Sequence, residues 1–188
     1  MIILTSYGFR SPVVAEKVRE YINPENMNVL VIPFAGFDSE KTAATEIKNG
    51  LLPFGFLPEN IYVVNETDTG INREINFDMI YVPGGNPFKL LRQAQKCNLH
   101  SRVIELVSNG TIYFGVSSGA DFACEDIEYL KLVEDCDYNI ENYKGLGLLT
   151  EKVLCHVDQR DMGTLQRVRD YDDRKTIFLR NDEVLVIR

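Results

Sequence analysis

The stretch Gly115-Val116-Ser117-Ser118-Gly119-Ala120 decides how this chain folds. It follows an apolar run at residues 111–114 (TIYF) and precedes residues that suit a helix. A strand that turns sharply into a helix leaves little room beside the serine at its apex, so glycines flank that serine. The turn lifts the Ser117 hydroxyl out of the sheet and points the Ser118 amide at any negative charge forming nearby. The pattern predicts a nucleophile elbow and hence a serine hydrolase.

Composition and charge limit the class of protein and its partners. A chain of 188 residues with 45% hydrophobic and 26% charged residues suits one domain with a sizeable core, over residues 1–188. The net charge of −8 disfavours nucleic acid and anionic membranes as partners. No signal peptide and no apolar run of about 20 residues is evident. The four cysteines have no metal-binding or paired spacing, which fits a reducing compartment: Cys97, Cys124, Cys136 and Cys155. We therefore expect a cytoplasmic monomer or homodimer.

Short apolar runs alternate with amphipathic stretches along the chain, which is typical of an α/β fold. We expect a mostly parallel central sheet with helices on both faces. The predicted strands are residues 1–5, 28–33, 60–64, 78–83, 111–115 and 152–157. The predicted helices are residues 11–21, 39–52, 87–95, 100–108 and one from about 162. Further predictions on weaker patterns are a strand at 129–133, a turn with a short strand at 144–149, and a hairpin of 176–179 with 183–187.

A serine needs a base to take its proton, and histidine is the usual base at neutral pH. The chain has two histidines. His100 lies at a predicted helix start, where capping or solvent exposure is the simpler role. His156 lies near the end of a predicted strand, and sites in open parallel sheets gather beyond the carboxyl ends of strands. We therefore expect His156 to be the base, the alternative being a strand-end histidine with local hydrogen bonds.

A carboxylate is expected to hold the histidine in the correct tautomer. Between Ser117 and His156 the irregular stretch after residue 133 offers Glu134, Asp135 and Asp137. Spacing alone does not select among these three acids, and any of them could simply be solvated.

A second amide donor for an oxyanion hole is expected at Gly84-Gly85-Asn86, after the predicted strand at 78–83. Glycines let the backbone approach a substrate closely, and the Ser118 amide would be the partner donor. The alternative is a plain glycine turn between a strand and a helix. The α/β-hydrolase fold, which shares the elbow, is disfavoured because the chain is short and His156 follows Ser117 too soon for further strand–helix units.

Two motifs together resemble the dipeptidase E (aspartyl dipeptidase) and cyanophycinase family of serine peptidases. Residues 81–91 (YVPGGNPFKLL) are similar to the family's GGNTF-x-LL segment, and GVSSGA at 115–120 is similar to its G-x-SAGA. The resemblance covers nearly the whole chain and implies a fold similar to flavodoxin and the class I glutamine amidotransferases, with no cofactor or metal. Departures from the pattern are Ser118 for alanine, Pro87 for threonine, and Leu154-Cys155 where proline is common.

The resemblance assigns roles to individual residues. It implies Ser117 as nucleophile, His156 as base and Glu134 as acid, with Asp135 the fallback. Gly85 and Ser118 would form the oxyanion hole, and Asn86 would bind substrate. Gly163 with Arg167 resembles, at a displaced position, the arginine that binds the acidic side chain in aspartyl-specific members.

The function expected from these observations is hydrolysis of small peptides, including dipeptides with N-terminal Asp, through an acyl-enzyme. One alternative is a diverged relative that keeps the fold and binds a ligand or partner protein. Another is an esterase or other acyl hydrolase with the same triad.

Overall fold

The computed structural model describes residues 1–65 and 75–188. The strands of these residues are β1 (Ile2–Thr5), β2 (Val29–Val31), β3 (Ile61–Val63), β4 (Met79–Val82), β5 (Ile112–Val116), β6 (Lys152–Leu154), β7 (Thr176–Phe178) and β8 (Val184–Ile187). Six of them form one sheet in the order β3-β2-β4-β5-β1-β8, and β6 pairs with β7 in a second, small sheet. All pairs are parallel except β8 with β1.

The α-helices of the described residues are α1 (Pro12–Val18), α2 (Ser39–Glu46), α3 (Leu52–Phe54), α4 (Pro87–Lys96), α5 (Leu99–Ser108), α6 (Ser118–Asp121) and α7 (Met162–Arg169). A wider helical turn, Ile47–Leu51, joins α2 to α3, so the predicted helix at 39–52 is one continuous helical stretch with a changed pitch. Within residues 1–65 and 75–188, no helix has the length and hydropathy to cross a bilayer.

Helices cover both faces of the central sheet because alternate strand residues point to opposite sides. Leu30 and Ile80 join one hydrophobic cluster, which α4 and α5 also enter. Their neighbours Val31 and Tyr81 join the other, which includes residues of α1 and α3. The predicted α/β class and mostly parallel sheet are confirmed.

The C-terminal hairpin prediction is wrong. Instead of pairing with each other, β7 lies parallel to β6, and β8 lies antiparallel to β1 at the edge of the central sheet. A strand edge exposes unpaired backbone groups, and β8 covers those of β1 by pairing Ile2 with Ile187. Both apolar runs form strands, but the two strands belong to different sheets.

The strand predicted at 129–133 is also wrong, because residues Glu128–Leu132 form a 3₁₀ helix. Tyr129 and Leu130 are both fully buried. Consecutive residues of a strand point to opposite faces, whereas a tight helical turn buries both against the same cluster. The short strand predicted within residues 144–149 is not formed. This segment instead takes part in two isolated β-bridges, Asp126 with Lys144 and Cys124 with Leu149.

The turn after β5 depends on glycines. A Cβ on Gly115 would lie 2.5 Å from the Gly119 carbonyl oxygen, and one on Gly119 would lie 2.0 Å from the Val82 carbonyl oxygen. Both distances are far below any real Cβ contact. The backbones of β4, β5 and α6 therefore lie in direct contact, with no side chain between them. The glycines flanking Ser117 are therefore required by packing, as the motif predicts.

We predict that Gly119→Ala destabilises the protein by about 1–3 kcal/mol, because the added methyl meets backbone that has no room to move. Gly50→Ala is the matched control: its Cβ would meet side chains only at ordinary distances of 3.6–4.0 Å. Urea unfolding of both variants measures the difference. A Gly119 variant as stable as the Gly50 variant would contradict the packing argument.

Candidate active site

Ser117 lies at the apex of the turn between β5 and α6 with φ 51° and ψ −116°. This is an unusual backbone conformation for a residue with a side chain, and strain of this kind concentrates at functional sites. The Ser117 carbonyl accepts hydrogen bonds from the amides of Ala120 (2.7 Å) and Asp121 (3.0 Å), so the helix begins immediately after the serine. The predicted nucleophile elbow is present.

His156 stands beside this hydroxyl. Its Nε2 lies 2.9 Å from Ser117 Oγ, within hydrogen-bond distance. The residue has a left-handed backbone (φ 57°, ψ 36°) just beyond β6, which turns the ring toward the elbow. Its amide donates to Ser6 Oγ (3.1 Å), and that buried hydroxyl donates to the Leu179 carbonyl (3.0 Å). Ser6 thus ties the backbone of His156 to β1 and to the end of β7.

The other ring nitrogen of His156 contacts Asn181, whose Oδ1 lies 2.7 Å from Nδ1. Asn181 is a neutral amide in the turn between β7 and β8, and sequence reasoning missed it. The signal that could have found it is the parallel pairing of β6 and β7, since the carboxyl ends of parallel neighbours meet at one edge. His156 follows β6 and Asn181 follows β7, but the hairpin prediction concealed this proximity.

The segments that carry Gly85 and Ser118 lie beside the elbow. Gly84 packs directly on Ser117, since a Cβ there would lie 2.8 Å from Ser117 Cβ. The Ser118 hydroxyl, a departure from the family pattern, donates to the Gly85 carbonyl and so joins the two segments. In residues 1–65 and 75–188, neither the Gly85 amide nor the Ser118 amide donates to a protein acceptor. Both remain available to an oxyanion.

A cavity of about 680 Å³ opens beside Ser117 and His156. Its lining residues are Tyr7, Arg10, Phe37, Asp38, Lys41, Thr42, Thr45, Glu46, Gly84, Gly85, Ser117 and His156. The lining carries two cations and two carboxylates. The volume is within the range of small-molecule sites, about 300–1,000 Å³.

Comparison with known proteins identifies the family. The model of peptidase family S51 matches residues 2–188. The chain belongs to peptidase family S51. The expectation of a serine peptidase related to dipeptidase E is thereby confirmed.

Individual relatives agree with the S51 assignment. An uncharacterized peptidase of Listeria monocytogenes is 28% identical over 173 residues, covering 88% of this chain and 84% of its own. Peptidase E of Shigella flexneri is 32% identical over 122 residues, covering 62% of this chain but only 48% of its own.

Two solved structures share the fold. A Peptidase E protein structure from Listeria monocytogenes has a TM-score of 0.79 at 23% identity, over 100% of this chain and 93% of its own. A peptidase from an acI-B1 Actinobacterium has a TM-score of 0.65 at 18% identity, over 94% and 78%.

Glu134 does not occupy the position expected of the acid in this S51 chain. Its carboxylate accepts from Arg160 at 3.1 Å, and the Arg160 Nε–H donates to the Cys155 carbonyl. The fallback, Asp135, is exposed. The prediction that one of these acids holds the histidine ring is therefore corrected: the predicted strand before them is a 3₁₀ helix, and Asn181 lies at His156 Nδ1.

Asn86 has a structural role that the resemblance did not suggest. Its Oδ1 accepts from the amides of Phe88 (3.0 Å) and Lys89 (2.9 Å), which caps α4, and its Nδ2 donates to the Asp135 carbonyl (2.9 Å). Pro87 is the first residue of α4, where an amide would have no helical partner, so the departure from threonine costs no hydrogen bond. Substrate binding by the Asn86 side chain is not supported.

Arg167 lies on the exposed surface of α7, outside the lining of the cavity beside Ser117. Its guanidinium donates to Thr164 Oγ1 at 2.9 Å. The cations that line the cavity are Arg10 and Lys41 instead. Arg10 lies 3.7 Å from Glu46, a carboxylate whose side chain is only 7% exposed and which accepts from Tyr81 at 2.8 Å.

Two buried titratable side chains, Asp121 and Cys155, lie next to the elbow. Burial, and then the charge of Glu134, raise the pKa of Asp121 well above its ordinary value. Among the described residues, Asp121 Oδ1 has no hydrogen-bond partner. Burial likewise raises the pKa of Cys155, whose thiol lies 3.7 Å from the Ser117 carbonyl. That thiol is therefore held in its protonated form.

Within residues 1–65 and 75–188, no group of three or more histidine, cysteine, aspartate or glutamate side chains is placed to hold an ion.

We predict that Asp121→Asn stabilises the protein at pH 7.5, because the amide cannot ionise and one unit of raised pKa is worth about 1.4 kcal/mol of stability at a pH above both the unfolded and the folded value. An acid whose folded pKa is raised loses stability as pH rises from its unfolded value, near 3.9, through its folded value. The gain should therefore shrink toward pH 4. Urea unfolding at pH 4.5 and 7.5 measures it, with the exposed Asp173→Asn as control. Equal gains at both pH values would contradict a raised pKa.

Proposed function

We propose that this S51 peptidase hydrolyses short peptides, dipeptides among them, through an acyl-enzyme on Ser117. The observation that carries the proposal is the 2.9 Å contact between His156 Nε2 and a serine oxygen at the strained apex of an elbow. A hydroxyl becomes a useful nucleophile when a neighbouring base takes its proton. The contact opens onto a cavity large enough for a short peptide.

His156 acts as the base in this proposal. When Asn181 Oδ1 accepts from Nδ1–H, the lone pair is on Nε2 and points at the Ser117 hydroxyl. Ser117 Oγ attacks the peptide carbonyl as its proton passes to Nε2. The same proton then goes to the leaving amine, and the carbon–nitrogen bond breaks. Water, deprotonated by His156, hydrolyses the acyl-enzyme and frees the serine.

The amides of Gly85 and Ser118 stabilise the negative oxygen of the tetrahedral intermediate. In other enzymes, removal of one fixed donor from an oxyanion hole raises the activation free energy by about 2.7–4 kcal/mol. The hydrogen bond from the Ser118 hydroxyl to the Gly85 carbonyl holds the two segments that carry the donors together. The serine that replaces alanine here thus supports the oxyanion hole rather than competing with it.

The charges of the cavity suit a short peptide with charged ends. Arg10 and Lys41 can attract a carboxylate, and Asp38 and Glu46 an ammonium group. If peptides with N-terminal Asp are substrates, their side-chain carboxylate would meet Arg10 or Lys41, because Arg167 lies outside the cavity.

We predict that Ser117→Ala abolishes cleavage of a dipeptide panel, including Asp-X peptides, because no other group lies at the apex to form the acyl-enzyme. Mass spectrometry of the panel before and after incubation measures cleavage. Ser101→Ala, a helix-surface serine on α5, is the matched control and should leave turnover unchanged. Full turnover by the Ser117 variant would reject the mechanism. Faster cleavage of esters than of dipeptides would favour an esterase, and no cleavage by folded protein would favour a binding protein.

We predict that Asn181→Ala lowers kcat about tenfold, since the ring loses the partner that fixes its tautomer. Asn181→Asp should raise kcat by roughly fivefold, because a hydrogen bond to a charged group exceeds a neutral one by about 1 kcal/mol. Steady-state kinetics of the two variants and of wild type measure both changes in kcat. An alanine variant as fast as wild type would contradict the positioning role, and circular dichroism would confirm that both variants fold.

A further inference from the structure

Phe37 is a large apolar residue that is 99% exposed. Single apolar side chains at a protein surface are ordinary and by themselves call for no explanation. Phe37 differs because it lines the catalytic cavity together with Ser117 and His156. It also lines an adjoining cavity of about 600 Å³, whose wall includes the apolar residues Val63 and Val64.

The backbone beneath this ring is held on both sides. The Lys89 ammonium donates to the carbonyls of Gly36 and of Phe37, the latter at 2.9 Å. The Ala35 carbonyl accepts from the Asn86 amide at 2.8 Å. After the ring, the Asp38 carbonyl accepts from a threonine hydroxyl of α2 at 2.7 Å. The loop backbone is therefore fixed to α2 and α4, so the position from which the ring projects is defined.

That place is the oxyanion side of the catalytic centre. A Cβ on Gly85 would lie 2.2 Å from the Ala35 carbonyl oxygen and 2.8 Å from the Gly36 nitrogen. The loop that carries Phe37 thus packs directly on the proposed oxyanion donor. A peptide whose carbonyl faces Gly85 would pass its neighbouring side chain close to the ring.

We propose that Phe37 is a specificity-determining residue that binds an apolar side chain next to the scissile bond. The proposal rests on the proposed function, since it needs a peptide acylating Ser117. The ring supplies apolar surface at no conformational cost to the loop, because the backbone is already fixed. Substrates with phenylalanine or leucine beside the scissile bond should therefore be preferred over those with glycine or alanine.

Two dipeptide series, X-Ala and Ala-X with X as Gly, Ala, Leu or Phe, test this proposal on wild type, Phe37→Ala and Phe37→Leu. We expect wild type to prefer Leu and Phe by about tenfold to a hundredfold in kcat/KM, the range that burial of an apolar side chain supports. Phe37→Ala should lose this preference, its kcat/KM for Leu and Phe peptides falling to the level of its kcat/KM for Gly and Ala peptides, and Phe37→Leu should largely keep it. The series that shows the preference identifies the side of the bond.

The controls separate the possible failures. Ile104→Ala removes an exposed apolar side chain on α5, away from the cavity, and should change nothing. Equal cleavage of all X by wild type, or a preference that survives Phe37→Ala, overturns the subsite and leaves the proposed function standing. No cleavage of any peptide by folded wild type rejects the proposed function and the subsite with it. A dimer that Phe37→Ala converts to monomer, with the preference unchanged, makes the ring a contact between copies and also overturns the subsite.

Discussion

The close approach of backbones at the carboxyl ends of β4 and β5 is the constraint on which the site depends. Gly119 packs against the Val82 carbonyl and Gly115 against the Gly119 carbonyl, so no side chain fits between strand and helix. The chain can leave β5 and enter α6 only through the strained conformation of Ser117. That conformation brings the hydroxyl within 2.9 Å of His156 Nε2, and the Ser118 amide follows directly in the chain. Packing and proposed chemistry therefore follow from one steric fact.

The second element of the site comes from outside the central sheet. The small sheet of β6 and β7 delivers His156 and Asn181 from two parallel neighbours, and Ser6 joins this sheet to the end of β1. The group on His156 Nδ1 is a neutral amide, which in the proposed mechanism accepts from Nδ1–H but adds no negative charge to stabilise an imidazolium. In the proposed mechanism the oxyanion donors therefore supply a larger share of the rate than in a triad with a carboxylate.

The elbow could be predicted from the sequence because its glycines are local steric requirements, legible in six consecutive residues. The proximity of His156 to Ser117 could be predicted because the chain has two histidines and one of them lies near the end of a predicted strand. Asn181 could not, because its role depends on which strands pair: an apolar run such as 176–179 shows that it is a strand but not whether its partner is β6 or β8. Glu134 was expected from the resemblance, and its pairing with Arg160 is a tertiary contact that spacing does not encode. The single domain, the cytoplasmic location and the oligomeric state stay predictions.

The central claim is that Ser117 is a nucleophile activated by His156. Labelling with a fluorophosphonate, followed by peptide mapping, tests it without knowledge of the substrate. The account predicts one phosphonyl group per chain, attached to Ser117, and strongly reduced labelling of a folded His156→Ala variant. A folded wild type that takes no label, or takes it on another residue, would contradict the account.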